Sequence, residues 1–367
     1  MPLCFCKNKY NDKNFGVCIL TKRLIAFILI VLITINLAAC GTDRLTRYES
    51  QFLGVFDTMT SIVGYAHSKD EFTKYSQLIH DQLLEYHKLY DIYNDYEGLN
   101  NLKTVNDNAG KAPVKVDKRI IDLIGFSKDW YKKTDGRVNI AFGSVLGIWH
   151  DYRERGIDDP ENAQLPPMDK LKEANRHIDI NKVVVNEEDS TIYLEDPEMS
   201  LDVGAVAKGY ATEMVGRMAE ENGFTSGLIS VGGNVRALGS KEGKGQPWNV
   251  GIQNPDLASE QKEIKIVNAI ESSVVTSGVY ERYYTVDGRN YHHIIDPVTL
   301  FPAVYYKSIT ILCKDSGTAD ALSTSVFNMS FEEGLPFIES LPDTEAMWIL
   351  ADGEIKYSDH FADYVKK

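Results

Sequence analysis

The chain is predicted to fold as one large α+β domain in which antiparallel hairpins pack against helices. Segments with apolar residues at helical spacing alternate along the chain with short segments of alternating polarity. Several of the strand-like segments are joined by turn sequences, and the clearest is Asp287-Gly288, a strong hairpin signal. Hairpins that lie next to helices in sequence favour a mixed domain over a doubly wound parallel sheet.

The first 39 residues are predicted to be a signal peptide. Basic residues precede an apolar run over residues 24–35, and the small residues Ala38 and Ala39 follow it. The run is shorter than the ~20 residues that span a bilayer. The tetrapeptide LAAC is similar to a bacterial lipobox, which makes Cys40 the expected lipidation site. An uncleaved anchor helix is the alternative.

This interpretation divides the chain into three parts. Residues 1–39 are the lipoprotein signal peptide, residues 40–51 are a lipidated tether, and residues 52–367 are the folded domain. Two acyl chains are enough for stable membrane anchoring. We therefore expect an extracytoplasmic protein that is held at the cell membrane by the lipid on Cys40.

Charge and cysteine content exclude several classes of protein. The whole chain carries −14, and residues 1–39 hold five Lys or Arg and one Asp, which leaves −18 on the remainder. Such a surface repels nucleic acid and anionic lipid headgroups, and an anionic ligand needs local cations or a metal ion. Beyond the signal peptide only Cys40 and Cys313 remain, so neither an internal disulfide nor a cysteine zinc site is expected.

The elements follow from periodicity and turn residues, in chain order. Helices are predicted where apolar residues recur at three- and four-residue spacing, at residues 70–93, 117–133, 205–221 and 318–329, with a short helix at the end of the chain. Strands are predicted where polarity alternates or turn residues interrupt, at residues 182–185, 191–194, 227–231, 282–286, 290–295, 307–313, 346–350 and 354–357.

Residues 201–215 (LDVGAVAKGYATEMV) carry the first candidate site. A short apolar strand is predicted to run into Gly204, and the helix that follows carries Lys208. A glycine at such a turn lets backbone approach a ligand, and a helix N-terminus attracts an anion. A tight turn with a surface lysine is the alternative.

Paired glycines form the second candidate site. Gly232 and Gly233 follow the apolar strand at residues 227–231, in the segment GLISVGGNVRALG. They allow either a positive φ angle or close approach of a ligand, and a simple bulge accounts for them equally well.

The third candidate site combines hydroxyls, imidazoles and charges on two strands that we expect to be paired. Thr276, Ser277 and Arg282 precede the Asp-Gly turn, and YHHIIDP, with two histidines and Asp296, follows it. Side chains alternate along a strand, so His292 and His293 point to opposite faces and at most one of them faces a pocket. A structural histidine is the alternative.

The fourth candidate site lies on the helix at residues 318–329. Asp320 and Thr324 are four residues apart and therefore lie one above the other. Mg²⁺ prefers oxygen ligands, takes few from the protein and keeps several waters. A simple contact within the helix is the alternative.

Taken together, these motifs resemble those of the ApbE family of FAD:protein FMN transferases. LDVGAVAKGY, SVGGN, TSGVYERYY, HIIDP and ADALSTS occur in the family's order, and FDTMTSIVGY and YNDYEGLNNLKTVN upstream are similar to family segments. The resemblance extends from about Phe56 to Met329 and implies an ApbE-like fold. Many family members are lipoproteins, which agrees with the lipobox.

The resemblance implies a Mg²⁺-dependent phosphoryl transfer with FAD as the substrate. A Ser or Thr hydroxyl of an extracytoplasmic flavoprotein attacks the phosphate next to riboflavin, FMN becomes joined to that protein, and AMP leaves. An FAD pyrophosphatase that gives FMN and AMP is one alternative. A lipid-anchored protein that binds a flavin without catalysis is the other, and it has no need of the Asp320–Thr324 pair.

The resemblance also assigns roles to individual residues. The expected catalytic residues are His293 as the base, Asp202 and Lys208. The expected metal ligands are Asp320, Thr324 and the backbone carbonyl of Ala205. The expected FAD contacts are Tyr96, which stacks on a ring, Asp202, Gly204, Lys208, Gly232, Gly233, Thr276, Ser277, His293 and Asp296.

Two positions depart from the family pattern. Leu300 stands where the family has glycine, which puts a turn geometry in question, and Val279 stands where the family often has Asp or Glu, which affects a contact near the substrate. Neither change removes a residue assigned to the metal or the phosphates.

Overall fold

A computed structural model describes residues 44–367, and residues 46–367 form one compact unit. The predicted signal peptide and the lipidation site Cys40 lie outside the described residues. Among the residues described, none of the helices is both long enough and apolar enough to span a bilayer.

Helices and strands alternate along this unit. The helices are α1 (Lys69–Tyr90), α2 (Leu102–Asp107), α3 (Lys118–Lys133), α4 (Gly143–Asp158), α5 (Met168–Ala174), α6 (Ala207–Glu221), α7 (Ser316–Phe327), α8 (Phe331–Glu339) and α9 (Phe361–Tyr364). The strands are β1 (Thr46–Val55), β2 (Thr58–Ala66), β3 (Val114–Lys115), β4 (Val183–Asn186), β5 (Thr191–Leu194), β6 (Gly227–Val231), β7 (Asn234–Leu238), β8 (Trp248–Gln253), β9 (Glu263–Ala269), β10 (Ser273–Gly278), β11 (Tyr283–Val286), β12 (Arg289–His292), β13 (Tyr306–Cys313), β14 (Glu345–Leu350) and β15 (Ile355–Tyr357).

An eight-stranded sheet forms the centre of the unit, with strand order β1-β2-β6-β7-β10-β13-β14-β15. All its neighbouring strands are antiparallel. Helices α1, α6 and α7 contribute to the main hydrophobic core on one face, and the β8–β9 hairpin packs on the other face through Trp248 and Val250. Hairpins and helices in one domain confirm the predicted α+β class.

A second, smaller hydrophobic cluster joins α4 to the β11–β12 hairpin. Its buried members are Phe142, Val145, Trp149, Leu171, Tyr284, Val286, Ile295 and Leu300. This cluster places α4 and the hairpin beside one end of the main sheet, where the candidate site lies.

Local signals account for the helices that the sequence predicts. Helix α1 begins after Ser68, whose side chain accepts a hydrogen bond from Glu71 N, and α7 begins after Asp315, which accepts one from Thr318 N. The helices predicted at residues 70–93, 117–133, 205–221 and 318–329 are present, with ends that differ by up to three residues.

Several features of the fold differ from the predictions. Strand β1 begins at Thr46, so residues 46–51, which we predict to be part of the tether, lie in the sheet instead. β1 is an edge strand, and over residues 46–51 its outward residues are polar and exposed, so this part of the sequence has the composition of a linker. The predictions also omit helices α2, α4, α5 and α8 and strands β2, β3, β7, β8 and β9.

The turn that contains Leu300 keeps the conformation a glycine would favour. Leu300 has φ of +62°, its amide donates to Asp296 O at 2.8 Å, and its carbonyl accepts from Trp149 Nε1 at 2.9 Å. A left-handed conformation costs roughly 1–2 kcal/mol for a non-glycine residue. Burial of the side chain in the second cluster and the bond from Trp149 offset that cost.

Candidate active site

A cavity of about 410 Å³ opens at one end of the main sheet, between the sheet and the second cluster. Its volume lies within the usual range for small-molecule sites. The structure brings together in its lining most of the predicted site residues: Asp202, Gly204, Ala205, Lys208, Gly232, Thr276, Ser277, His293, Asp320 and Thr324. Residues from four separate motifs therefore face one space.

The segment before α6 forms the floor of the cavity. We predict a strand at residues 201–203 from their apolar character, but the structure places them outside any strand, and Asp202 N donates to Ile140 O at 2.8 Å. Gly204 N then donates to Asp202 Oδ1 at 2.8 Å, and the helix starts at Ala207. The helix N-terminus and Lys208 lie at the cavity, as expected of an anion-binding turn.

Lys208 and Asp320 meet at the contact of α6 with α7. Lys208 Nζ lies 3.7 Å from Asp320 Oδ1, and Gly209 N donates to Asp320 Oδ2 at 2.8 Å. Burial raises the pKa of Asp320, although Lys208 and the amide of Gly209 oppose the shift. The site therefore holds a desolvated carboxylate that gains from a further cation.

Gly209 is a site residue that the sequence analysis missed. A Cβ at this position would lie 2.4 Å from Asp320 Cβ and 2.4 Å from Ser316 O. Only a glycine lets α6 approach α7 closely enough for the amide to reach the carboxylate. Gly209 directly follows Lys208 in sequence, but no local pattern indicates its role, because its hydrogen-bond partner is 111 residues away.

Hydroxyl groups line the end of β10 beside these charges. Ser277 Oγ lies 2.7 Å from Ser323 Oγ on α7, and Thr276 Oγ1 lies 2.9 Å from Thr310 Oγ1 on β13. Gly232 approaches from the β6–β7 turn with φ of +50°. A Cβ on it would be 2.6 Å from Thr58 Oγ1, so this position also requires glycine.

The two adjacent histidines lie in different environments, as we predict, but β12 ends at His292 and His293 lies just beyond the strand. His292 Nε2 donates to Ala303 O at 2.8 Å, and its Nδ1 accepts from Ile294 N at 3.2 Å, so both ring nitrogens are used inside the protein. His293 lines the cavity, and its Nδ1 donates to Arg282 O at 3.2 Å. Because a carbonyl only accepts, this contact assigns the proton to Nδ1 and leaves Nε2 as an acceptor.

The strand partner of His293 differs from the prediction. We predict Thr276 and Ser277 on the strand paired with the histidines, but β12 pairs with β11, whereas β10 pairs with β7 and β13 in the main sheet. The chain leaves the main sheet after Gly278 and forms a separate hairpin. The cavity, rather than strand pairing, brings the hydroxyls and His293 to the same space.

Burial sets the charge state of the two other titratable groups that we assign to catalysis. Desolvation, together with the positive charge of Arg282, lowers the pKa of His293 to about 3. Desolvation raises the pKa of Asp202, while Gly204 N, His150 and Arg282 act in the opposite direction. His293 is therefore a neutral imidazole at neutral pH, which is the form that accepts a proton.

The oxygen donors fit a Mg²⁺ ion better than a transition metal. Within residues 44–367, no group of three or more His, Cys, Asp or Glu side chains is placed to hold a metal. Asp320, Thr324 and Ala205 all line the cavity and offer one carboxylate, one hydroxyl and one backbone carbonyl as possible donors. Mg²⁺ binds through few protein oxygens and keeps several waters, so this donor set is compatible with it.

Three residues assigned to FAD lie outside the lining. Tyr96 OH donates to Asp91 Oδ2 at 2.8 Å, Asp296 Oδ1 accepts from Val298 N at 2.8 Å, and Gly233 forms the turn behind Gly232 with φ of +87°. These residues shape the loops of the site. The sequence cannot distinguish such a supporting role from a direct contact.

Tyr93 lines the cavity in place of Tyr96. Its ring stacks on His150, with centroids 4.8 Å apart, and His150 Nδ1 lies 2.7 Å from a guanidinium nitrogen of Arg153. Arg153 and Arg137, which the sequence analysis did not select, add positive charge to the lining. They come from α4 and the segment before it, far from every motif in sequence.

The ApbE family profile matches residues 56–348 of this chain. A curated FAD:protein FMN transferase of Treponema pallidum is 34% identical over 72% of this chain and 75% of its own length, and one of Haemophilus influenzae is 26% identical over 87% and 90%. The crystal structure of the ApbE protein from Thermotoga maritima has a TM-score of 0.76 and 27% identity, and covers 88% of this chain and 100% of its own. The flavin transferase ApbE from Vibrio cholerae, at 21% identity and a TM-score of 0.71, shares the fold.

Proposed function

The chain belongs to the ApbE family, and we propose that it transfers FMN from FAD to a protein acceptor. The observation that best supports this proposal is the single cavity that unites Lys208, His293 and Asp320. These groups supply a cation, a neutral base and a desolvated carboxylate at one place. The names of the curated relatives agree with that chemistry.

The acceptor is proposed to be an extracytoplasmic flavoprotein with a Ser or Thr target. The oxygen of its hydroxyl forms a bond to the phosphorus next to riboflavin, and the bond from that phosphorus to the oxygen of the AMP phosphate breaks. The electron pair stays on that oxygen as AMP leaves. The acceptor then carries FMN through a phosphoester.

His293 is proposed to take the proton of the attacking hydroxyl. Its Nδ1 is held by Arg282 O, so Nε2 is the acceptor. Burial lowers the pKa of His293 to about 3, so Nε2 is unprotonated at neutral pH but is a weak base. Transition states of phosphoryl transfer are loose and need little base catalysis, so orientation of the hydroxyl is the competing role.

Lys208 and the N-terminal end of α6 are proposed to neutralise the diphosphate. A protein with a strong negative charge needs such local cations to bind FAD, and Arg137, Arg153 and Arg282 add to them. Asp202 lines the same space and is proposed to contact the flavin.

Mg²⁺ is proposed to be held by Asp320, Thr324 and the carbonyl of Ala205. When bound, it would supply further positive charge to the diphosphate. Asp320 suits that role, because its carboxylate is buried and Lys208 is the cation that lies beside it, at 3.7 Å.

The membrane location is proposed from the sequence alone. LAAC at the end of the apolar run supports cleavage before Cys40 and lipid attachment to it. An unprocessed precursor in a Cys40→Ala variant, seen by mass spectrometry, supports the proposal, and normal cleavage with fatty-acid labelling contradicts it.

A direct test uses the protein, FAD, Mg²⁺ and an extracytoplasmic flavoprotein. Mass spectrometry of the acceptor should show one added FMN, which disappears when the target Ser or Thr is replaced by Ala. Release of FMN and AMP without any acceptor adduct would instead support an FAD pyrophosphatase. Binding of FAD with no product of either kind would support a non-catalytic flavin-binding protein.

A further inference from the structure

Glu213 is a buried carboxylate on α6 that the proposed chemistry does not use. Its side chain is 3% exposed, and it lies one turn beyond Gly209. Its Oε2 accepts a hydrogen bond from Ser316 N at 2.9 Å, and Ser316 is the first residue of α7. A carboxylate at a helix N-terminus satisfies a free amide and interacts favourably with the helix dipole.

Two arginines neutralise this carboxylate. Arg217 Nε donates to Glu213 Oε1 at 2.8 Å, and Arg236 Nε on β7 lies 3.1 Å from Oε2. Arg217 also donates to Asp315 Oδ2 at 2.9 Å, at the N-cap of α7. The start of α7 is therefore tied by charged groups to α6 and to the sheet.

A second contact between α6 and α7 lies one turn further along α7. Gly209 N donates to Asp320 Oδ2, and α7 approaches α6 so closely that a Cβ at Gly317 would lie 3.2 Å from Tyr210 Cα. The contacts of Glu213 and Gly209 with α7 together limit how far α7 can slide or rotate against α6. Lys208 is on α6 and Asp320 is on α7, so the same contact sets the distance between them.

We propose that Glu213 is a positioning residue that places Asp320 opposite Lys208 and thereby sets the affinity of the cavity for Mg²⁺ and FAD. Glu213 acts through the first amide of α7 and touches neither ligand. The inference rests on the proposed function, because it presumes that Asp320 binds the metal.

A purely structural role for Glu213 is the competing explanation, since an isolated Arg236 in the core would destabilise the fold. The double change Glu213→Leu with Arg236→Met separates the two roles. It removes both buried charges, and burial of apolar side chains should restore the melting temperature. It restores no acceptor for Ser316 N, so ligand affinity should stay low.

The main variant is Glu213→Gln, and Glu220→Gln is the matched control. Glu220 is also on α6, and its Oε2 lies 3.7 Å from the Arg236 guanidinium, but its carboxylate makes no hydrogen bond or ion pair to α7. Both changes remove one carboxylate charge beside the same arginine. Only the change at position 213 alters the start of α7, because the single amide oxygen of Gln cannot accept from both Arg217 Nε and Ser316 N.

The measurement is FAD binding, followed by flavin fluorescence while Mg²⁺ is titrated. We expect Glu213→Gln to raise the half-saturating Mg²⁺ concentration ~10–100-fold, as is usual when a partner that orients a metal ligand is lost. Glu220→Gln should match the parent. Turnover should show the same shift in Mg²⁺ dependence, with kcat nearly recovered at saturating Mg²⁺.

The possible results distinguish a positioning role of Glu213 from a structural one. Parental Mg²⁺ dependence in Glu213→Gln, or a full return of affinity in the apolar pair, overturns the positioning role. If Glu213→Gln does not fold, the apolar pair alone supplies the test. If the parent protein binds FAD without any effect of Mg²⁺, the metal assignment is wrong. If FAD binding by the parent depends on Mg²⁺ and Glu213→Gln shows the same dependence, only this inference is wrong.

Discussion

Gly209→Ala should damage the site through a clash that the structure defines. The new Cβ would lie 2.4 Å from Asp320 Cβ, whereas carbon atoms pack at about 3.5–4.0 Å. Helices α6 and α7 must therefore separate by about 1 Å. The bond from Gly209 N to Asp320 Oδ2, now 2.8 Å, would then exceed hydrogen-bond length.

Two opposing terms set the effect on stability. Overpacking costs about 1–3 kcal/mol, and alanine in a helix interior gains about 1 kcal/mol over glycine. The net loss in the free energy of unfolding should be about 0–2 kcal/mol. The effect on activity should be larger, because a displacement of about 1 Å in a catalytic group can cost about 10²-fold in rate.

Gly125→Ala is the control for this prediction. Gly125 is exposed on α3, and a Cβ there meets nothing within 4 Å. This change should stabilise the protein by up to about 1 kcal/mol and leave transfer unchanged. Urea unfolding and the initial rate of FMN transfer measure the two effects. Equal behaviour of both variants would show that the contact between α6 and α7 is not tight.

Other predictions concern single residues in or near the site. His293→Ala should lower kcat ~10²–10⁴-fold with little change in FAD affinity, and His292→Ala, which removes a structural imidazole, should mainly lower the melting temperature. A His293 pKa of about 3 keeps the base neutral, so kcat/KM for FAD should show no fall from this group near pH 6.5 and should fall only as the pH approaches 3. Lys208→Met should weaken binding of FAD more than that of riboflavin, which has no phosphates, in fluorescence titrations, and equal losses would make Lys208 structural. Leu300→Gly should relieve ~1–2 kcal/mol of backbone strain but lose ~2–5 kcal/mol of buried side chain, so urea unfolding should show net destabilisation.

Local patterns in the sequence determined much of the fold class and of the site. Apolar periodicity located α1, α3, α6 and α7, because the helix repeat is a property of neighbouring residues, but it did not locate α4. Spacing on a helix placed Asp320 and Thr324 on one face. Alternation predicted that His292 and His293 differ, and they do, although β12 ends at His292. The order of the motifs pointed to the ApbE family, and the family match confirmed it.

Only the tertiary structure decided which of these residues share the cavity. Tyr93 lines it and Tyr96 does not, because a hydrogen bond to Asp91 holds the second tyrosine in the supporting loop. Arg137 and Arg153 join the site from a region without a motif. Such contacts link residues far apart along the chain, and no local pattern records them.

The contact of α6 with α7 shows most clearly what the sequence alone does not reveal. Gly209 and Glu213 are ordinary helix residues when the sequence is considered alone. Their importance arises from Ser316 and Asp320, more than a hundred residues later, which hydrogen bonds bring to within 3 Å. The sequence determined which side chains are candidates for the site. The packing of two helices decided the distances between them, because close packing depends on the shapes of both partners.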